Sequence, residues 1–407
     1  MIDWKEYTVG DLVKNGVIYK PLDGNHGNIH PKYNDFVTAG IPFITATDVV
    51  NSAIDMHTCK FITFEQANKL QKGFAIEGDV LLTHKATLGR TAIVKKLETP
   101  YIILTPQVTY YRIKDTTKLN NKFLKYYFDT PYFQDTLQVH GSSGSTRDYV
   151  GIIAQNELPI LMPPLIDQEA IAEVLSSIDD KIDLLNRNNK TLETLSETTF
   201  RKFTSKYAEN PETILGKYVK VQGGCAFKSA DFRDEGHIGV LKITNISFDS
   251  VDIINTQYID VETANKTPER FIAKKGSFLI SMTGAEIGKI GMVGETNRLL
   301  YVNQRVGMLK DIFENSSLLG YLFLKSTEGQ DHIRNTASGS AQENISSAGI
   351  EQMIIPFIPQ LEVENFTYHV STMFENIAQN LYQIEQLENL RNILLPKLMS
   401  GAVRVNL

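Results

Sequence analysis

The sequence predicts a mixed α+β protein in which one globule-plus-helix unit occurs twice, and three observations predict it. Residues of the first half recur in the same order about 196 positions later. Each half carries short strand-like runs broken by Gly, Asn and Pro turns, with helical stretches among them. Each half then closes on a long apolar heptad pattern. The expected architecture is two tandem mixed α/β globules separated by two long antiparallel coiled-coil helices, with an internal pseudo-twofold repeat.

The repeat reads as follows. Residues 74–94 (FAIEGDVLLTHKATLGRTAIV) answer to 271–293 (FIAKKGSFLISMTGAEIGKIGMV), the later copy being slightly longer. Thr105-Pro106-Gln107-Val108 answers to Val302-Asn303-Gln304-Arg305, and Gly144-Ser145-Thr146 to Gly339-Ser340-Ala341. Leu161-Met162-Pro163 with Leu165 answers to Phe357-Ile358-Pro359 with Leu361.

The first segment, residues 1–157, holds strand-like runs at Pro42-Phe43-Ile44-Thr45, Val80-Leu81-Leu82-Thr83 and Gln107-Val108-Thr109-Tyr110-Tyr111, and residues 211–353 repeat its character. The second and fourth segments, 158–210 and 354–407, differ in kind. Apolar positions step through Ile171, Leu175, Ile178, Ile182, Leu185, Asn189, Leu192 and Leu195 to Phe203. The later copy steps through Phe366, Val370, Met373, Ile377, Leu381, Ile384, Leu387, Leu390 and Leu394. Pro163-Pro164 and the Pro356 to Pro359 connector cannot be helical and mark where each helix begins. Neither stripe is stable facing water, so the two are expected to pack on each other, antiparallel, with Asn189 fixing register. At 1.5 Å per residue the first helix predicts a rod of about 55 Å that keeps the globules apart. The outer faces, Asp179, Asp180, Lys181, Asp183, Arg187 and Asn188 on one helix and Glu375, Asn376, Tyr382, Glu385 and Glu388 on the other, are left for partners.

Composition narrows the function. The chain has 407 residues, 42% hydrophobic and 22% charged, which suits two folded cores. No apolar run approaches the roughly 18 residues of a membrane span, and the polar start Met1-Ile2-Asp3-Trp4-Lys5-Glu6 is no signal peptide, so a cytoplasmic protein is expected. Cys59 and Cys225 lie far apart with no metal-ligand spacing and read as reduced thiols. The net charge is −6, and residues 1–157 hold 17 basic and 16 acidic side chains. A chain so balanced is expected to hold nucleic acid weakly unaided.

Leu390-Arg391-Asn392-Ile393-Leu394-Leu395-Pro396-Lys397-Leu398-Met399-Ser400-Gly401 at the end, Thr199-Phe200-Arg201-Lys202-Phe203 at the midpoint and Pro163-Pro164-Leu165-Ile166-Asp167-Gln168-Glu169 between them resemble the specificity subunits of type I restriction-modification enzymes. So do Gly224-Cys225-Ala226-Phe227-Lys228-Ser229 with Gly239-Val240-Leu241-Lys242-Ile243, and Asp23-Gly24-Asn25-His26-Gly27 with the run from Gly40 to Asp48. Pro359-Gln360-Leu361 departs from the usual Pro-Pro-Leu connector. The resemblance implies two target recognition domains, each reading half of a split, asymmetric site in double-stranded DNA, and helices that dock two modification (methyltransferase) subunits. It also implies that S-adenosylmethionine acts on those subunits and ATP with Mg on further restriction subunits, with no catalysis, cofactor or metal on this chain.

The residues agree about catalysis. Asp129-Thr130-Pro131-Tyr132 lacks the first proline of an adenine-methyltransferase loop and reads as a helix end. Gly284-Ala285-Glu286-Ile287-Gly288-Lys289-Ile290 is one residue short of a phosphate-binding loop and reads as a turn. Loop cations, amides and hydroxyls are the groups that meet phosphates and base edges. In the first copy these are Lys20, His26, Lys32, Thr45, Thr47, His84, Lys85, Thr87, Arg90, Gln107, Ser142, Ser143, Ser145 and Arg147. In the second they are Lys228, Ser229, Arg233, Lys242, Thr244, Asn245, Thr283, Glu286, Lys289, Gln304, Arg305, Ser338 and Ser340. The alternative for each is a solvated group or a turn-capping side chain. Loop residues diverge where scaffold residues are shared, which predicts two different half-sites. An autonomous DNA methyltransferase and a coiled-coil scaffold that binds no DNA are the rival readings.

Overall fold

The computed structural model describes residues 4–50, 52–85, 87–141, 149–337 and 343–405. Two compact units emerge, Met1–Asp180 with Asn389–Leu407, and Lys181–Glu388. Each takes a share of both long helices.

In the first unit the chain enters and leaves through one strand pair, Lys5–Thr8 running antiparallel to Pro159–Met162. Thr8 then caps the short helix Val9–Lys14, exchanging hydrogen bonds with Asp11 in a capping box. A four-stranded sheet orders Thr91–Ile93, Val80–Thr83, Val108–Tyr111 and Leu22–Asp23. A five-stranded sheet orders Phe36–Val37, Lys60–Ile62, Ile41–Ile44, Ile102–Leu104 and Phe74–Ala75. Val80–Thr83 is buried on both faces, which explains its unbroken apolar run. Val80 and Leu82 point to the core formed with helix Asn121–Phe128, whereas Leu81 joins Ile44, Ile102 and Leu104 in a second core.

The second unit repeats this strand for strand. Val219–Gly223, Val306–Asp311, Phe278–Ser281 and Ile290–Met292 take the places of the four-stranded sheet, with Asp249–Ser250 added at its edge. Phe232–Arg233, Gln257–Ile259, Ile238–Leu241, Leu299–Val302 and Ile272–Ala273 form the five-stranded one. Glu212–Ile214 pairs with Ile354–Pro356 as entry and exit. Phe278 and Ile280 face the helical core while Leu279 faces the other.

The ladders correct the sequence alignment by one residue. Val108 pairs with Thr83, and Val306 with Ser281, so Val108 corresponds to Val306 and Gln107 to Arg305, not Gln304. Likewise Phe74 corresponds to Ile272, not Phe271, because each heads the same short strand. The extra residue of the later copy lies in the turn after Met282. Gly89 and Gly288 close that turn alike, each bonding back to Thr83 or Ser281 and each capped by a glutamine, Gln134 or Gln330.

The long helices are Leu165–Thr204 and Gln360–Met399, 40 residues each, beginning directly after the prolines. Gln168 anchors the first: its buried amide donates to Lys118 O and Pro163 O and accepts from Asn120 N. In the second unit the hydroxyl of Tyr218 does comparable work, bonding both Ile358 O and Ile358 N at 2.8 Å.

Within each unit the helix portions run antiparallel. In the second unit Phe203 stacks on Phe366 with centroids 4.2 Å apart, and Asn189 meets Asn380 at 2.7 Å. In the first, Ile171, Ala172 and Leu175 share a core with Leu394, Leu395, Leu398 and Met399. Asp179, expected on an outer face, turns inward to Arg391 Nη1 at 2.8 Å and to the hydroxyl of Tyr126 at 2.6 Å. Ile178, Ile182, Leu185, Asn189, Val370, Ile377 and Ile384 are buried as expected, and Leu192, Met373 and Leu381 pack partly buried. Leu195 and Leu390 are exposed instead, 48% and 45%, and Phe200, Phe374 and Ala378 take up the seam. A helix of 3.6 residues per turn drifts from a strict heptad, and the drift carries those leucines outward.

Candidate nucleic-acid interface

The loop after Leu22–Asp23 is set by a close approach. A β-carbon on Gly24 would lie 1.9 Å from Leu104 O, and one on Gly224 would lie 2.3 Å from Val302 O, so both copies need glycine here. The buried Asn25 side chain accepts from the backbone of Gln71 and Lys72 and clamps that neighbouring turn. Asp23 is also buried, paired with Lys72 and 3.2 Å from His26 Nε2. Burial works to raise its pKa, but the hydrogen bonds from Lys72 and His26 outweigh burial and hold it low.

Around this loop a concave surface is lined by Asn25, His26, His30, Phe36, Phe43, Thr45, Lys60, Lys85, Thr105 and Gln107. It brings together four residues expected from the sequence, His26, Thr45, Lys85 and Gln107. It adds Lys60, whose ammonium sits 4.5 Å from the Phe36 ring centroid, and Thr105, whose buried hydroxyl has no partner. Lys60 opens the strand Lys60–Ile62, where nothing in the local pattern marks a side chain as functional; only the fold turns it to the concavity. None of the lining residues is acidic, so the surface offers donors and suits an acceptor-bearing ligand.

His84 does not join them. Its ring is buried, with Nδ1 3.1 Å from Val150 O and Nε2 4.0 Å from Asp23 Oδ2, and burial pushes its pKa down to about 4. It is a neutral core group under the surface, and its place on the strand end explains why. Lys20, Lys32, Thr47 and Arg90 are exposed, Arg90 donating to Val49 O at 3.2 Å, while Thr87 is half-buried beside Ala46 O. Ser142, Ser143, Ser145, Arg147, Ser338 and Ser340 lie outside the described residues.

In the second unit the equivalent aromatic is Phe232, and its cation is Lys242, 3.7 Å from the ring centroid. Lys242 occupies the place of Thr45, because each heads a turn capped by the side chain three residues on. Gln257 occupies the place of Lys60, pairing with Val240 as Lys60 pairs with Phe43, and it bonds Lys242. Both units thus put one ammonium over one ring, supplied from exchanged positions.

Asn245 is that capping side chain: it is buried, accepts from Lys242 N and donates to Asn255 O, and so has no free edge for DNA. Thr283 is also buried, its hydroxyl unpartnered. Lys289 is paired with Glu286, and Arg233 reaches Asp260 at 3.0 Å. Lys228, Ser229, Thr244, Gln304 and Arg305 are exposed.

The two motifs set aside as catalytic are structural. Thr130 accepts from Phe133 N and donates to Tyr127 O at a helix junction, and Gly284–Glu286 is a single helical turn. Among the described residues no group of three His, Cys, Asp or Glu side chains is placed to hold a metal, and no helix is long and apolar enough to cross a membrane.

Residues 1–194 and 215–389 match the type I restriction modification DNA specificity domain. The chain is 23% identical to the type I restriction enzyme MjaVIII specificity subunit of Methanocaldococcus jannaschii over 435 residues, 99% of this chain and 93% of that one. It is 22% identical to the HindI specificity subunit of Haemophilus influenzae over 484 residues, 99% of this chain and all of that one. A crystal structure of the type I restriction-modification S subunit from M. genitalium superposes with a TM-score of 0.60 at 15% identity, covering 100% of this chain and 97% of that one, and so shares its fold.

Proposed function

We propose, since the chain belongs to the type I restriction-modification DNA specificity family, that each of its two repeated domains reads one half of a split DNA site and that the chain itself performs no chemistry. It is a specificity subunit, the part of a restriction-modification system that recognises DNA. Methylation falls to modification subunits that carry S-adenosylmethionine, and cleavage to ATP-dependent restriction subunits. The long helices offer the docking surface for the modification subunits and set the unread spacer between the half-sites.

One observation carries this reading: the two domains share the strand order of both main sheets yet differ in the side chains at equivalent turn positions, Lys85 against Thr283 and Thr45 against Lys242. A scaffold kept and a surface varied is what two readers of different sequences require. The donor-rich concavity of the first domain supports DNA as the ligand, and the net charge of −6 fits a clamp that partners complete.

The test maps methylated adenines across a genome with and without this chain. Loss of one bipartite motif on its removal supports the reading. A motif unaffected by its absence, or S-adenosylmethionine binding by the purified chain alone, refutes it.

A further inference from the structure

Gln107 and Arg305 hold the same place in the two domains. Each lies one residue before the central strand, and its carbonyl accepts from the end of the neighbouring strand, His84 N to Gln107 O at 2.9 Å and Met282 N to Arg305 O at 3.0 Å. The turn beneath is the same in both, Val108 N bonding Thr105 O and Val306 N bonding Asn303 O. Backbone that is pinned from two sides presents a side chain in one direction, which is what discrimination between bases needs.

Both side chains are available. Gln107 lines the concave surface of the first domain, and Arg305 is exposed. Among the described residues neither the Gln107 amide nor the Arg305 guanidinium has a hydrogen-bond or ion-pair partner, whereas Arg112, Arg233, Arg298 and Arg391 are all engaged.

We propose that Gln107 and Arg305 are the matched base-reading residues of the two domains, Gln107 selecting an adenine and Arg305 a guanine. This rests on the domains being DNA readers. The chemistry follows from the two head groups. A carboxamide donates and accepts side by side and meets N7 and the 6-amino group of adenine, while a guanidinium donates twice and meets O6 and N7 of guanine. The same turn therefore asks two different questions of the major groove.

The experiment uses the chain assembled with its modification subunits and reads the methylated motif genome-wide for the native chain, Gln107→Arg, Arg305→Gln, Gln107→Ala and Arg305→Ala. Gln107→Arg is expected to change one adenine requirement to guanine in one half-site and to leave the other untouched. Arg305→Gln does the reverse in the other half-site. The alanine variants relax the same single positions, lowering discrimination about ten-fold or more. They test the idea even if an exchanged side chain fails to fold, and the unaltered half-site reports that the chain is intact. Uniformly weaker methylation with an unchanged motif would assign Arg305 to a phosphate and overturn the proposal, while leaving the chain a specificity subunit. A motif that never depended on the chain would overturn the functional reading itself.

Discussion

Asn380 donates from Nδ2 to Oδ1 of Asn189 at 2.7 Å on the seam between the long helices, with both side chains 8% exposed. An amide pair among apolar neighbours satisfies itself in one register only, since sliding either helix by a turn sets each amide against hydrocarbon.

Replacing Asn380 alone with Leu is expected to destabilise the second unit by about 1–3 kcal/mol, because the Asn189 amide is left buried and unpaired. Replacing both with Leu is expected to restore or raise stability while loosening register. Urea unfolding of Asn380→Leu, Asn189→Leu and the double variant measures this; equal effects in all three would remove the pairing argument.

Lys325 is nearly buried and binds Glu193 at 2.7 Å, Glu197 at 3.0 Å and Asp249, tying the helix to the edge strand of the second domain. Lys325→Met is expected to cost on the order of 3 kcal/mol, since it strands the buried Glu193. A loss under 1 kcal/mol in thermal or chemical unfolding would show that water reaches the cluster.

Burial first, and the neighbouring Asp249 next, push Glu193 up to about 7. The folded state therefore keeps a proton that the unfolded chain releases near pH 4.5, so this group's contribution to stability falls as pH rises from about 4.5 to 7 and is level above. Glu193→Gln should flatten that slope, measured by denaturation at a series of pH values.

His84 acts in the opposite sense. Burial lowers its pKa to about 4, so the folded state resists a proton that the unfolded chain takes up below about 6.5. Its contribution is full above pH 6.5 and is lost as pH falls toward 4, about 2 kcal/mol at pH 5. His84→Met, which places here the residue of the second domain, should abolish the loss in the same denaturation series.

Gly24→Ala and Gly224→Ala each drive a β-carbon into a neighbouring carbonyl and must displace the strand end that leads to Gln107 or Arg305. Each is expected to blur one half-site of the methylated motif and spare the other. A variant that altered both half-sites would mean that the domains do not read independently.

Much of this fold was legible in the sequence, and the reasons are physical. The stripe from Ile171 to Leu192 declares itself because a helix face repeats, and Pro163-Pro164 declares the helix start because proline cannot lie within it. Leu195 and Leu390 misled because heptad and helix periods differ slightly. The Gln107 and Arg305 pairing was hidden because similarity of letters set the two copies one residue out of step, which strand pairing resolved. Lys60 and Thr105 carried no local sign, since only the packing of distant strands brings them to one surface. His84 and Asn245 looked like loop contacts, yet a histidine or an asparagine serves equally well as an internal hydrogen-bonding group, and burial decides which.

Each domain admits and releases the chain through a single two-stranded neck, Lys5–Thr8 with Pro159–Met162 and Glu212–Ile214 with Ile354–Pro356. Everything between those strands is a cassette clipped at its base, and the anchoring glutamine and tyrosine hydroxyl sit at or beside the clip. A foreign cassette grafted there must end in the same pair of strands and also keep the groups that meet the helices, Tyr126 toward Asp179 in the first domain and Lys325 toward Glu193 in the second.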